Sequence, residues 1–273
     1  MSRYCTVSPS TCNGGIIAEV PFFSKMLRAI GYLNRPVDFP LSDSIKVRVP
    51  IARNMYHQTY IDGYEADFFA ALGTEIRQLP GPVTLIDVGA DIGLFSLKLL
   101  THCSSISKIL AFEPNSEGFP WLKFNLSRLP EGIHGQAFPT AIADFQGQGR
   151  LGIPEARFTP DVESNHTQYF LEPFPIGPIA VNTIDALNLP IANSMVLKVD
   201  VEGGELPVLR GAARTIASIP NSVVAIEDIP LSRAEPELIL WSACGFWLHF
   251  GRFDLLPAKL ISNCKPAKLS SIK

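Results

Sequence analysis

Hydrophobic positions along this chain alternate between two rhythms. Short apolar runs of strand length are separated by stretches whose apolar residues recur three and four apart. From Glu65, Phe68 or Phe69, Leu72, Ile76 and Leu79 keep helical spacing until Pro80-Gly81-Pro82 stops it. Val83–Val88 then reads as a buried strand, Gly93–His102 as a helix and Lys108–Glu113 as a second strand. Asn115 or Ser116 is placed to cap a helix carrying Trp121, Leu122, Leu126 and Leu129. Phe138–Ala143 is a third strand. The rhythm breaks over Gln146–Pro178, which is rich in Pro, Gly and polar residues and reads as a long loop, either a functional lid or partly disordered. It resumes with a strand at Met195–Asp200, a helix with Leu206, Leu209, Ala213 and Ile216 on one face, and a strand at Val223–Glu227. Ser232-Arg233-Ala234-Glu235 has the form of a capping box ahead of a further helix. Phe246–Phe250 and Leu255–Ile261 suit a final antiparallel pair. Repeated strand–helix units with apolar strands predict an α/β protein with a doubly wound, mostly parallel sheet.

Residues 1–50 fit this scheme poorly. Pro36, Pro40 and Pro50 punctuate them, and Phe22, Phe23, Leu27 and Ile30 line one side of a short candidate helix. They are expected to form an extension packed on the main domain. With 47% hydrophobic and 18% charged residues in 273, a substantial core is expected. The formal net charge of -3 argues against a general nucleic-acid binder. Five cysteines without a C-x-x-C pair, no recognisable signal peptide and no run long enough to cross a bilayer suggest a cytoplasmic protein with reduced thiols.

Candidate chemistry gathers at the strand ends. The run Leu85-Ile86-Asp87-Val88-Gly89-Ala90-Asp91-Ile92-Gly93 leads from a strand into a Gly-x-x-x-Gly turn and a helix. Asp91 stands where a dinucleotide-binding turn would carry glycine, and its carboxylate would repel a phosphate. The turn therefore suits a phosphate-free adenosine ligand, and S-adenosylmethionine is the candidate. Glu113, twenty residues beyond Gly93, is spaced to accept hydrogen bonds from ribose hydroxyls, or else it caps the following helix. Lys198, Asp200 and Glu202 fall on one side if their strand persists. They form either a polar cluster facing the reactive end of the ligand or a Lys198–Asp200 ion pair, with Glu202 and Glu205 at a helix N-terminus. Asp144 is placed to meet an adenine amino group or to lie in an exposed turn. Glu227 and Asp228 either help to hold a substrate or are loop charges. The five histidines show no metal-ligand spacing, and no metal is expected. Neither a G-x-S-x-G element nor a Walker-type loop is present.

Taken together, Ile86–Gly93, Ala111-Phe112-Glu113-Pro114-Asn115, Val181-Asn182-Thr183-Ile184-Asp185 and Leu197–Glu205 running on to Val208-Leu209-Arg210-Gly211-Ala212 resemble the FkbM-type S-adenosylmethionine-dependent methyltransferases. Gly63-Tyr64-Glu65 looks like the lead-in of that family. The resemblance implies a Rossmann-like sheet of seven strands with the last antiparallel. It divides the chain into an extension (1–60), a methyltransferase domain (61–262) and a tail (263–273). By position it implies that Gly89, Asp91 and Gly93 line the methionine and ribose part of the cofactor. Glu113 would hold the ribose and Asp144 would lie near adenine. Glu65, Asp87, Ala90, Pro114, Asn115, Ala143 and Asp200 complete the implied cofactor wall. Asp91 replaces an Asn common in the family, and the loop Glu163–Phe170 with Asn165 matches only loosely, so no substrate carries over.

The expected reaction is methyl transfer to a hydroxyl of a small molecule or sugar. Asp200 would be the base, Glu202 the second candidate, and Lys198 would orient the carboxylates or the acceptor oxygen. A noncatalytic cofactor-binding partner subunit and an RNA methyltransferase are the alternatives. No nucleic-acid partner and no membrane span are expected, and homo-oligomerisation is left open.

Overall fold

The computed structural model describes residues 35–51, 66–152, 170–173, 177–201, 203–219, 221–227, 248–250 and 253–257. Its first element is a hairpin of β1 (Pro36–Pro40) and β2 (Lys46–Pro50), paired antiparallel. The prolines that weakened the periodic signal sit at the ends of these strands, where a missing N–H is tolerated. Ile45, Val47 and Val49 point into the core, so the hairpin is built on ordinary two-residue alternation.

The helix expected from Glu65 is α1 (Ala66–Arg77), which buries Phe68, Phe69, Leu72 and Ile76. The strand β3 (Val83–Val88) has the predicted bounds and leads into α2 (Leu94–Leu100). Strand β4 (Ile106–Phe112) stops one residue short of Glu113. Helix α3 (Phe119–Leu126) begins later than the sequence suggests, with Gly118 as N-cap. Asn115 instead closes a local turn, its Oδ1 accepting the Glu117 N–H at 2.9 Å.

The expected third strand divides at Pro139, which cannot donate to a ladder. Strand β5 (His134–Phe138) joins β4, whereas β6 (Thr140–Ile142) turns away to a second sheet. That sheet takes in part of the segment read as a loop: β7 (Gly147–Gly152), β8 (Phe170–Pro173) and β9 (Ile179–Asn182), in the order β6-β9-β7-β8. Residues 153–169 and 174–176 of that segment lie outside the described residues.

Strand β10 (Ser194–Val199) is followed by two short helices, α4 (Glu205–Gly211) and α5 (Ala213–Ser218), in place of the single helix expected. Ala212, at φ -113°, breaks the helix between them. Strands β11 (Asn221–Glu227), β12 (Leu248–Phe250) and β13 (Phe253–Pro257) complete the described chain. The helix proposed after Ser232 lies outside the described residues.

Among the described residues the central sheet has the order β12-β13-β11-β10-β3-β4-β5. The four pairings from β11 to β5 are parallel; β13 runs antiparallel to both β11 and β12. The expected mostly parallel α/β sheet is therefore present. Side chains of β3 and β10 alternate between two cores. Leu85 and Val196 face α1, α2 and the hairpin, while Ile86, Leu197 and Val199 face α4 and α5. Successive connections run outward from β3 to β5 and then return to β10 on the other side of β3. The crevice for a ligand in such a sheet opens at the carboxyl ends of those two strands.

Candidate functional site

The turn after β3 is built to bring two chains together. Gly89 (φ 74°), Asp91 (φ 48°) and Gly93 (φ 84°) are left-handed, and Asp is among the few side chains that tolerate this region. A Cβ on Gly89 would lie 1.8 Å from the Asp200 carbonyl oxygen. Glycine here lets the ends of β3 and β10 meet. The Asp200 N–H extends the ladder by donating to the Val88 carbonyl at 3.1 Å.

Glu113 follows β4, only 8% exposed. Its Oε2 accepts the Asp91 N–H and its Oε1 the Asn115 N–H, both at 2.7 Å. It therefore ties the glycine turn to the next strand end. With α3 starting at Phe119, Glu113 stands apart from the first turn of that helix. Burial and the nearby Asp91 charge push its carboxyl up to about 7, against the pull of the two N–H donors and Lys198.

Lys198 faces the opposite flank of the turn. It is in register with Asp87 on the neighbouring parallel strand. Its Nζ donates to the Gly89 carbonyl at 2.7 Å and lies 3.1 Å from Asp87 Oδ1 and 3.7 Å from Asp200 Oδ2. The second Asp87 oxygen accepts the Ser96 hydroxyl at 2.6 Å. Both ionic residues of this pair are buried.

A cavity of about 310 Å³ opens over these groups. Gly89, Ala90, Asp91, Glu113, Pro114 and Asn115 line it from the turn and the end of β4. Ala143, Asp144, Lys198 and Asp200 line it from β6 and β10. Asp87 and Gly93 do not reach its surface. Asp87 acts from behind the wall through Lys198 and Ser96, and Gly93 caps α2. Glu65 and Glu202 lie outside the described residues. Asp144 is exposed and 3.9 Å from Arg210 Nη1.

Several lining residues escaped the sequence. Phe145, just after β6, and Leu151 and Leu171, on β7 and β8, bring the second sheet to the cavity, and nothing in the Pro- and Gly-rich segment marked the two leucines. Glu205 is buried, and its Oε1 accepts the Gly203 N–H at 3.0 Å and the Val201 N–H at 3.3 Å. It thereby holds the loop that carries Asp200. It also opens α4, the helix-terminal position that the sequence expects.

Residues 87–248, more than half of the chain, match the family model described as the methyltransferase FkbM domain. The chain belongs to the FkbM methyltransferase family. Among curated relatives, the hexuronic acid methyltransferase AglP of Haloferax volcanii is 31% identical over 149 residues, which are 52% of this chain and 55% of AglP. The chain thus spans about half the length of the curated relative it matches. The crystal structure of methyltransferase FkbM from Methylobacillus flagellatus KT is 20% identical, with a TM-score of 0.37 over 54% of this chain and 32% of that one. Magnesium protoporphyrin IX methyltransferase from Synechocystis PCC 6803 is 11% identical, with a TM-score of 0.37 over 74% and 82% of the two chains. No helix among the described residues of this FkbM-family chain is long and apolar enough to cross a membrane.

Proposed function

We propose that the chain is an S-adenosylmethionine-dependent O-methyltransferase whose acceptor is a hydroxyl of a sugar or other small molecule. The observation that carries this is Glu113, a buried carboxylate clasping the glycine turn on the wall of the cavity. The wall chemistry fits such a cofactor. Glu113, Asp91 and Asp200 are carboxylates on the lining, and among the described residues Lys198 is the one cationic side chain on it, already set against Asp87. That balance suits a sulfonium and a ribose and disfavours a pyrophosphate. Glu113 would accept from the ribose hydroxyls, the turn from Gly89 to Asp91 would meet the methionine part, and Asp144 would approach the adenine. Phe112, stacked on Phe138 at 4.7 Å, and Leu151 and Leu171 supply apolar surface for a base. The sheet order, with β13 antiparallel beside β11, supports the seven-stranded architecture expected of the family.

When bound, the cofactor supplies an electrophilic methyl on a good leaving group. The chain must then hold the acceptor in line and take its proton. Asp200 is the base in this proposal, since its carboxylate lines the cavity beside the turn and remains 24% exposed. Glu202, two residues on, is the second candidate. Lys198 orients the turn and Asp200 from beneath. A carbohydrate acceptor is suggested by the hexuronic acid methyltransferase relative.

Calorimetry with S-adenosylhomocysteine, followed by transfer of labelled methyl to a panel of sugars and uronic acids, tests the assignment. Binding and transfer to a hydroxyl are expected. Absence of binding would sink it, and binding without transfer across the panel would favour the noncatalytic subunit.

A further inference from the structure

Asn125 lies on α3, outside the cavity, and is fully buried. Its side chain serves two separate segments. Oδ1 accepts the Arg48 N–H at 2.8 Å, and Nδ2 donates to the Arg48 carbonyl and to the Ile92 carbonyl, both at 2.9 Å. The first two bonds make the amide a substitute strand partner for β2. The third reaches the glycine turn. Ile92 lies one residue before the ladder of α2, whose first acceptor is the Gly93 carbonyl, bonded to the Leu97 N–H at 3.0 Å. Asn125 therefore satisfies a turn carbonyl that the helix leaves out.

Other ties join the two strands of the hairpin and fasten it to α3 and to Arg128, just beyond that helix. Asp38 accepts from Arg48 Nη2 at 2.6 Å and from Arg128 Nη1 at 2.7 Å. The Arg48 guanidinium lies 4.6 Å from the Phe124 ring centre. Residues 36–50 fall outside the segment that matches the family model, yet a single side chain connects them to the turn that lines the cavity.

We propose that Asn125 is a positioning residue for the turn from Gly89 to Gly93, and that through it the β1–β2 hairpin forms part of the cofactor-binding apparatus. This rests on the function proposed above. Asn125→Asp keeps the size of the side chain and its acceptor for Arg48. It removes the hydrogens that meet the two carbonyls, and protonation of the new carboxyl returns one of them.

The test compares S-adenosylhomocysteine affinity of Asn125→Asp with that of the wild type across pH, after circular dichroism confirms the fold. The expected ratio of dissociation constants is roughly tenfold at about pH 8 and shrinks toward about pH 5.5 as the carboxyl regains its proton. A purely structural role would leave no such recovery in the ratio. Should the variant not fold, hydrogen exchange on the wild type decides. Because coupling is reciprocal, the ligand must slow exchange at residues 46–49 as well as at 89–93. Equal affinities in folded protein, or protection confined to the turn, would overturn the proposal while leaving the methyltransferase assignment intact. Failure of the wild type to bind at all would remove both.

Discussion

Lys198 and Asp87 stand opposite each other on adjacent parallel strands, with Nζ 3.1 Å from Oδ1 and neither side chain more than 3% exposed. The pair sits under the glycine turn, and Lys198 donates to the Gly89 carbonyl at 2.7 Å. Breaking a buried pair from one side is costly because the surviving charge keeps its desolvation penalty. Lys198→Met should lower unfolding free energy by about 3–5 kcal/mol in urea titrations. Adding Asp87→Asn should recover a large part of that loss. An additive double variant would mean that the two charges do not depend on each other.

Glu113 links stability to pH with an unusual sign. Its folded value of about 7 lies above the ordinary 4.5. At pH below the ordinary value both states hold the proton and Glu113 has no effect. As pH rises between the two values, the unfolded chain releases its proton while the folded chain keeps it, so stability falls. Above the folded value the loss levels off at about 3 kcal/mol. Thermal melts of wild type minus Glu113→Gln should show this descending limb. Affinity for S-adenosylhomocysteine should rise through the same window in the wild type and stay flat in the variant, because the ionised carboxyl is the better acceptor for ribose hydroxyls.

Gly89→Ala tests the meeting of β3 and β10. The new methyl would lie 1.8 Å from the Asp200 carbonyl oxygen, at a φ of 74° that disfavours any side chain. Relief requires the strand ends to part, which moves both the turn and Asp200. The expected loss is at least about 2 kcal/mol of stability, together with loss of detectable cofactor binding. Chemical denaturation and calorimetry on the same preparation measure both. A variant that binds normally would show that this close approach is dispensable.

The parts legible in the sequence are those where local chemistry and tertiary role agree. Val83–Val88 is apolar throughout and buried throughout, and the Gly89–Gly93 turn needs its glycines wherever the rest of the chain goes. Lys198 and Asp200 were legible as a cluster. Register with β3, which no spacing within one strand reveals, gave Lys198 its nearer carboxylate in Asp87 rather than Asp200. The second sheet was hidden because β7 is Gly-Gln-Gly-Arg-Leu-Gly, a run with no apolar alternation. Its strand state comes from pairing with β8 and β9, a tertiary effect that overrides propensity. Asn125 was silent for the same reason: its partners are 77 and 33 residues away.

Asp200 and Glu205 separate chemistry from the support of chemistry. In the proposed mechanism Asp200→Asn removes the proton acceptor but leaves the cavity its shape. Turnover should fall by roughly a hundredfold or more, with cofactor affinity little changed. Glu205 does not itself line the cavity, and a single oxygen, Oε1, accepts both the Val201 and Gly203 N–H groups. Glutamine preserves that oxygen, whereas leucine removes it and strands two N–H donors. Glu205→Gln should therefore keep most of the activity, and Glu205→Leu should lower kcat by roughly tenfold through misplacement of Asp200. Steady-state kinetics on a responsive acceptor distinguish the two. Equal losses for Gln and Leu would mean that the charge of Glu205, rather than its grip on the loop, is what the site requires.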